Sequence, residues 1–394
     1  MSSVSIKAGG AVLAAALLGV PGLAPSQASA DPVVPPAGGV LYVSNAGSGD
    51  VSSMAIGSRG ELKLINRPVK TGGATPRGIA LTTNGATAYV VNSDSDQLSV
   101  FRVGPQGALL PNPQVFPTGD EPWGATVSPN GRTLYVTNTG DGDDDDTTHG
   151  VGTISAYRIG PDGTPSKIGD FKTTADSPKQ TVLSPDGRFL YLSYANADET
   201  QDSPARPITR YAVLPDGSLG PAQDVAKAEP ADYGITVSPD GGLVYVTSNV
   251  AQDVRGFRVG KDGSLTPVTQ SPISVRDAVG LKVTPDGQHL YVCANFDTTE
   301  VPGSGLLGFT IHADGSLTPA AESPTLTEGT SSVAITPDGR DIFSNMQDAS
   351  QIVASAIGAG GALKPAPGSP FPTGGKRPLS QSLAVRPVPA TTPR

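Results

Sequence analysis

The sequence predicts an all-β protein, a seven-bladed β-propeller with four antiparallel strands in each blade. Two observations support this: one turn-and-strand motif recurs along the chain, and its copies are spaced like propeller blades. The motif reads SPNGRTLYVTN from Ser128, and further copies begin at Thr82, Ser184, Ser238, Thr284 and Thr336. The aromatic residues of the apolar runs lie 46 to 56 residues apart, a range typical of blades rather than of helical repeats. These residues are Tyr42, Tyr89, Tyr135, Tyr191, Tyr245, Tyr291 and Phe343.

Each repeat contains two hairpins, which we interpret as strands A to D from the centre of the ring outwards. The A–B turn is the S-P-D-G type, in which proline presets the first turn position and glycine supplies a positive φ. A second hairpin follows, as in LSVFRVGPQGALLP from Leu98 and VRGFRVGKDGSLTP from Val254. Runs such as Leu134 to Val136 are apolar on both faces, as expected for a sheet that lies between two neighbouring sheets.

The strand count predicts how the ring closes. There are seven C–D hairpins but only six complete A–B hairpins, because the first repeat begins directly at Leu41. The missing strand A is found near the other end of the chain, at Ser382 to Pro387. We therefore expect this segment to complete the first blade and leave the ring without open edges.

Composition excludes several classes of partner. The formal charge is −9 and the pI is about 4.8, which argue against a nucleic acid or an anionic membrane as the main partner. The single cysteine, Cys293, excludes an internal disulfide framework, and we expect it to be a small buried residue in a strand B. We expect a monomer that requires no cofactor.

The N-terminus resembles a secretory signal peptide. Lys7 precedes the apolar run 11–20, and Ala28-Ser29-Ala30 is a small-residue cleavage pattern. We therefore expect a signal peptide at 1–30, with cleavage after Ala30 and secretion of the mature chain. A proline-rich linker at 31–39, the propeller at 40–387 and a flexible tail at 388–394 would follow.

The repeated S-P-D-G-R-x-L-Y-V motif, together with the D-G-x-L-x-P hairpins, resembles the lactonase family of seven-bladed propellers. This is the group of 6-phosphogluconolactonases and carboxy-muconate cyclases. L-Y-V-T-N at Leu134 to Asn138 is also similar to the broader YVTN-repeat propellers. The resemblance covers essentially the whole mature chain and implies hydrolysis of a lactone. The positions that carry the family's His, Arg and Glu are occupied here by Lys179, Tyr233 and Asn249, so that catalytic set is not matched.

Propellers of this type carry their site on the rim formed by the D–A and B–C connections. The residue eight positions before each turn glycine should lie there, at the start of strand A. These residues, which we call the mouth ring, are Arg77, Trp123, Lys179, Tyr233, Val279 and Ser331, with Gln381 from the closing strand. Two cations and two aromatic residues, with Gln381, would suit an anionic or sugar-like ligand. Alternatively, Arg77 and Lys179 pair with rim carboxylates such as Glu121 and Asp232.

Lactone hydrolysis needs a base to activate water and a group that polarises the carbonyl. The candidate catalytic residues are Glu121, Asp232 and Asp277 as bases and Arg77 or Lys179 as the polarising group, with Trp123, Tyr233 and Gln381 binding the ligand. His289 and His312 fall on or beside the turn-bearing rim, where we expect them at the surface, and His149 lies in an acidic loop. Three hypotheses stay open: a secreted lactonase, a non-catalytic propeller that binds a small molecule, glycan or protein partner of the cell envelope, and a structural envelope protein.

The loop from Thr139 to Thr153 is strongly acidic and includes Asp141, Asp143 and Asp145. Carboxylate oxygens suit calcium, so these three are candidate metal ligands. The loop does not follow the spacing of an EF-hand. A solvated loop without metal is the alternative interpretation.

Overall fold

The computed structural model describes residues 38–140, 151–195, 206–227, 232–294, 305–320 and 329–386, without the side chains of Asp232 and Tyr233. The expected signal peptide, most of the linker and the flexible tail lie outside these residues. So do the metal candidates Asp141, Asp143 and Asp145. In the described part of the chain the only helices are three short 3-10 turns, none able to cross a membrane: Ser93–Ser95, Pro105–Gly107 and Ala359–Gly361.

The described strands form seven antiparallel sheets, which we number as blades 1 to 7 and give here from the inner strand outwards. Blade 1 is Leu383–Arg386, Val40–Asn45, Asp50–Ile56 and Leu62–Leu64, with Val69–Lys70 beside its third strand. Blade 2 is Pro76–Leu81, Thr87–Asn92, Gln97–Arg102 and Gln114–Pro117. Blade 3 is Pro122–Val127, Thr133–Asn138, Val151–Ile159 and Pro165–Asp176. Blade 4 is Pro178–Leu183, Phe189–Tyr194, Pro207–Ala212 and Gln223–Lys227.

The remaining blades follow the same plan. Blade 5 is Asp232–Val237, Leu243–Ser248, Asp253–Val259 and Leu265–Pro267, with Ile273–Ser274 beside its third strand. Blade 6 is Ala278–Val283, His289–Ala294, Leu306–Ile311 and Leu317–Pro319. Blade 7 is Val333–Ile335, Asp341–Met346, Gln351–Ile357 and Leu363–Pro365, with Phe371–Pro372 beside its third strand. The predicted seven-bladed propeller is confirmed.

The closing strand occupies the place that the strand count predicted. Leu383–Arg386 is the inner strand of blade 1 and pairs antiparallel with Val40–Asn45, with Val43 opposite Leu383 and Val40 opposite Arg386. Two segments about 340 positions apart in the sequence therefore form one sheet. The junction of blades 7 and 1, which we call the seam, is thereby closed, and the ring is continuous.

The hydrophobic core is divided among the junctions between blades. The described residues form seven buried clusters, each of which combines side chains from two adjacent blades. At the junction of blades 2 and 3, for example, Tyr89 and Val91 pack with Leu134 and Val136. One four-stranded sheet cannot bury both of its faces, so each blade depends on its two neighbours.

The repeated tyrosine fastens each blade to the next. Six of these side chains are buried and donate a hydrogen bond to a glycine carbonyl in the C–D turn of the following blade; Tyr245, for instance, reaches the carbonyl oxygen of Gly315 at 2.9 Å. We call these bonds the tyrosine latches. Phe343 holds the equivalent place in blade 7 and has no hydroxyl. The seam therefore lacks a tyrosine latch and is held by apolar packing, by strand pairing and by hydrogen bonds such as that from the Ser52 hydroxyl to the carbonyl oxygen of Thr373 at 2.6 Å.

The S-P-D-G turns are stabilised by their own side chains. In the copy from Ser184, the serine hydroxyl donates to Asp186 Oδ1 at 2.6 Å and accepts from the amide of Phe189 at 3.0 Å. The Ser184 hydroxyl and the Arg188 side chain hold the pKa of Asp186 down to about 2. Gly187 follows with a φ of 71°, the conformation that the motif requires. The recurrent polar residues of the repeat therefore stabilise the A–B turn.

Candidate functional site

The mouth ring lies at a repeated irregularity of the inner strands. In blades 2 to 6 the pairing of strands A and B shifts register at the mouth position, for example between Pro178 and Gln180 in blade 4. Two residues earlier the chain is left-handed in four blades, with φ between 47° and 52° at Thr75, Glu121, Ser177 and Asp277. Bulges of this kind re-aim a side chain and are common beside active sites.

Three mouth-ring residues form a stack. Arg77 Cζ lies 3.8 Å from the centre of the Trp123 ring, and Lys179 Nζ lies 3.6 Å from it. Arg77 comes from the blade before Trp123 and Lys179 from the blade after it, so the indole lies between the two cations. Each contact is within the range in which the face of an aromatic ring attracts a cation. The sequence-predicted residues of blades 2, 3 and 4 therefore converge.

Gln381 joins this stack from the other side of the ring. Its amide nitrogen donates to the backbone carbonyl of Lys179 at 3.3 Å, which connects blade 1 to blade 4. A Cβ atom on Gly124 would lie 2.6 Å from Gln381 Oε1 and 3.1 Å from the carbonyl oxygen of Lys179, so a larger residue there would displace the Gln381 amide. Lys179 is buried, with 9% of its surface exposed. Its position is thus fixed by packing, by Trp123 and by Gln381.

The inner strands approach each other closely just inside the mouth. A Cβ atom on Gly280, one residue after Val279, would lie 2.5 Å from the carbonyl oxygen of Ser331 in the next blade. Side chains of ordinary size would force these strands apart. Neighbouring inner strands of blades 6 and 7 therefore pack backbone against backbone just inside the mouth.

The candidate bases differ in their surroundings. Glu121 is exposed at the rim, two residues before Trp123. Asp277 occupies the equivalent place in blade 6, where burial raises the pKa of its carboxyl group, although Arg276, with Nε 3.7 Å from Asp277 Oδ2, acts in the opposite direction. Asp232 and Tyr233 lie in the inner strand of blade 5, and their side chains are outside the described part. The structure therefore leaves the roles of these four residues as predictions.

The two histidines in the described part of the chain lie away from the mouth ring. His312 is exposed and its Nε2 lies 2.9 Å from Thr318 Oγ1, whereas His149 lies outside the described residues. The expectation of a surface position for His289 is wrong: it is 7% exposed because Gly361 of blade 7 packs over its ring. No group of three or more potential metal ligands occurs among the residues that the structure describes.

Below the mouth, the channel contains a cavity of about 310 Å³ lined by the inner strands. Lys282 lines this cavity, three residues after the mouth position of blade 6. Lys282 is not among the residues predicted from the sequence, all of which lie at the mouth, on the rim or in the acidic loop. The signal was present, because aligning the inner strands three positions further on gives one lysine among small or apolar residues and threonines.

These features define the class of protein as a seven-bladed β-propeller whose channel mouth brings cationic and aromatic side chains together. Within this class the chain belongs to the lactonase family: the family profile described as "Lactonase, 7-bladed beta-propeller" matches residues 19–123, 111–201 and 234–372. Family membership suggests lactone hydrolysis at the level of the family as a whole. A comparison with curated proteins finds no match.

Solved structures with the same architecture include proteins described as lactonases. A periplasmic gluconolactonase from Pseudomonas aeruginosa is 19% identical, with a TM-score of 0.70 over 88% of this chain and 99% of that one. A putative 6-phosphogluconolactonase from Bacteroides fragilis is 18% identical, with a TM-score of 0.68 over 88% and 98%. Another from Bacteroides uniformis is 20% identical, with a TM-score of 0.67 over 88% and 98%. At this level of identity, the likeness establishes the fold.

Proposed function

We propose that the protein hydrolyses a lactone or a related cyclic ester at the mouth ring, outside the cytoplasm. The observation that supports this most directly is the stack of Arg77, Trp123 and Lys179 on the rim formed by the D–A and B–C connections, where we expect the site. Two cations held together by one aromatic ring suit a ligand that develops negative charge on an oxygen. The names of the structural relatives agree with this chemistry.

The reaction assigns a role to each kind of residue. A rim carboxylate, with Glu121, Asp232 and Asp277 as candidates, takes a proton from water as the water oxygen bonds to the lactone carbonyl carbon. Arg77 or Lys179 stabilises the charge that develops on the carbonyl oxygen. The ring C–O bond then breaks, and the leaving oxygen receives the proton, which gives a hydroxy acid. Trp123, Tyr233 and Gln381 hold the ring of the substrate.

The test is proton release by the mature chain supplied with a panel of sugar-derived lactones. We expect Lys179→Met and Trp123→Ala each to lower kcat/KM by about 10- to 100-fold, as removal of 1–3 kcal/mol of transition-state binding would do. Lys63→Met is the matched control, because Lys63 is exposed on the outer strand of blade 1. Failure to open any lactone, or normal rates in both mouth variants, would contradict the proposal.

Export of the protein is a separate part of the proposal and rests on the N-terminal pattern alone. The leader 1–30 has the charged start, apolar run and small-residue end of a secretory signal. The intact mass of the protein recovered from culture medium tests it. A chain that begins at Asp31 supports export, and full-length protein retained in the cytoplasm refutes it.

A second candidate function is the binding of an acidic envelope partner on the opposite, turn-bearing rim. A cavity of about 920 Å³ there is lined by Arg102, Arg132 and Arg158, together with Asp162 and Asp216. In the described part of the chain none of the three arginines forms an ion pair. Three cations against two carboxylates give this groove a local positive excess on an acidic protein, which favours contact with an acidic group of a partner at short range.

Salt-dependent retention on a polyanion distinguishes this second function from lactone hydrolysis. Arg132→Ala should weaken retention at low salt and leave any hydrolysis unchanged. Arg340→Ala is the control, because Arg340 on the same rim already pairs with Asp338 at 2.6 Å. Equal retention of both variants excludes the groove as a binding site.

A further inference from the structure

Lys282 and six other residues, one from each remaining blade, occupy the same position along their inner strands. The six are small or apolar residues or threonines. Each of the seven is paired with the signature aromatic of strand B in its own blade, as Lys282 is with Tyr291. The other six are Ala80, Thr126, Val182, Thr236, Ala334 and Ala384. Lysine therefore replaces a short side chain at a position where the chain otherwise keeps the lumen open.

The ammonium group of Lys282 is inside the molecule without a counter-charge. The side chain is exposed to the lumen, yet protein surrounds it, and this burial lowers the pKa of the amine. Among the described residues, no hydrogen-bond or ion-pair partner of Lys282 is found. An ammonium group removed from bulk water without a partner is costly, and an anion beside it offsets that cost.

The cavity around Lys282 is otherwise neutral and partly polar. Of the described residues that line it, Lys282 is the only charged one, and hydroxyl or amide side chains are contributed by Thr126, Gln180 and Ser332. Thr126 and Thr181 hydrogen-bond each other at 3.0 Å, and Gln180 Oε1 accepts from the amide of Ile235 at 3.4 Å. The amide nitrogen of Gln180 keeps its capacity to donate. At about 310 Å³, the space is at the small end of ligand pockets.

We propose that the inner channel binds one small polyhydroxy carboxylate anion, whose carboxylate is held by Lys282 and whose hydroxyl groups meet the polar side chains of the lining. Such a molecule is what opening of a sugar lactone yields. The inference thus deepens the proposed function, on which it rests for the identity of the ligand. Ser331 and Gln381 belong both to the mouth ring and to the cavity lining, so a product formed at the mouth has this space directly beneath it.

The test is calorimetric titration of the purified mature protein with sodium gluconate. We expect one binding site in the wild type and at least a tenfold weaker Kd in Lys282→Met, which keeps the length of the side chain and removes its charge. Lys63→Met should bind like the wild type. Gluconate should also raise the Tm of the wild type and not that of Lys282→Met, because only a ligand of the folded state stabilises it.

The outcomes separate this inference from the proposed function. If gluconate binding depends on Lys282 but the protein opens no lactone, the channel site is supported and the proposed lactonase function is refuted. If the protein hydrolyses a lactone but binds gluconate equally well with and without Lys282, the proposed lactonase function is supported and the channel site is overturned. Lack of gluconate binding by the folded wild type also overturns it. The Tm of unliganded Lys282→Met should not fall, since the variant removes an unpaired charge that protein surrounds in the lumen.

Discussion

The tyrosine latches make a quantitative prediction about how the blades are held together. Tyr245→Phe removes one hydroxyl and leaves the aromatic ring and its apolar packing in place. The hydroxyl is fully buried and donates to the carbonyl oxygen of Gly315, itself buried, at 2.9 Å. The variant therefore loses one buried hydrogen bond and leaves a carbonyl oxygen without this donor. We expect the free energy of unfolding to fall by about 1–3 kcal/mol.

Urea unfolding is the suitable assay, because in a chain of this size such a loss moves the Tm by only a few degrees. The midpoint should fall while the slope of the transition stays the same, since the surface exposed on unfolding is unchanged. The same change at Tyr42, Tyr89, Tyr135, Tyr191 and Tyr291 should have comparable effects. Six variants that are as stable as the wild type would refute the latches as a source of stability.

Three further predictions concern closure, alkaline pH and calcium. Deletion of residues 381–394 removes the inner strand of blade 1 and the burial of Leu383, so the free energy of unfolding should fall by ~5 kcal/mol or more, as thermal unfolding would show. Burial raises the pKa of Tyr135 and of Tyr191 from 10.0 to about 12; their contribution to stability is complete below pH 10 and is lost as the pH rises towards 12. Phenolate absorbance should therefore increase together with loss of the fold, and ionisation within an intact fold would contradict this. If the acidic loop binds calcium, a chelator should lower the Tm of the wild type and not that of Asp143→Asn combined with Asp145→Asn; an unaffected wild type leaves only the solvated loop.

The fold could be predicted from the sequence because its determinants are local and repeated. The S-P-D-G turns fix the hairpins, and seven copies of one unit can bury their faces only in a ring. Even the addition of the closing strand to the first blade, across about 340 positions, followed from counting strands, although its residue register did not. The burial of Cys293 in a strand B is also confirmed, with none of its surface exposed. The position of His289 was not predictable in this way, because its cover, Gly361, comes from the next blade.

The sequence predicted that three cationic and aromatic residues share one mouth, but it did not predict their stacked geometry, and their role in function stays a prediction. Counting back from the turn glycines selected Arg77, Trp123 and Lys179, but the stack depends on bulges that the apolar pattern does not encode. Lys282 was missed for a related reason. That Lys282 stands where the other blades have small or apolar residues or threonines is seen only when the inner strands of all seven blades are aligned. In a single strand, one lysine resembles any solvent-facing residue.

The closing strand also sets the order in which the molecule can be completed. Val40–Asn45 is made early, but its partner Leu383–Arg386 is made after all the other described strands. At ordinary rates of synthesis, roughly 20 to 70 s separate the two. Until then the first blade lacks its inner strand, and the apolar faces of the first and last blades are not covered by each other. For most of its synthesis, the growing chain therefore exposes apolar surface at the seam. That surface must be kept from aggregating until the closing strand is made and covers it.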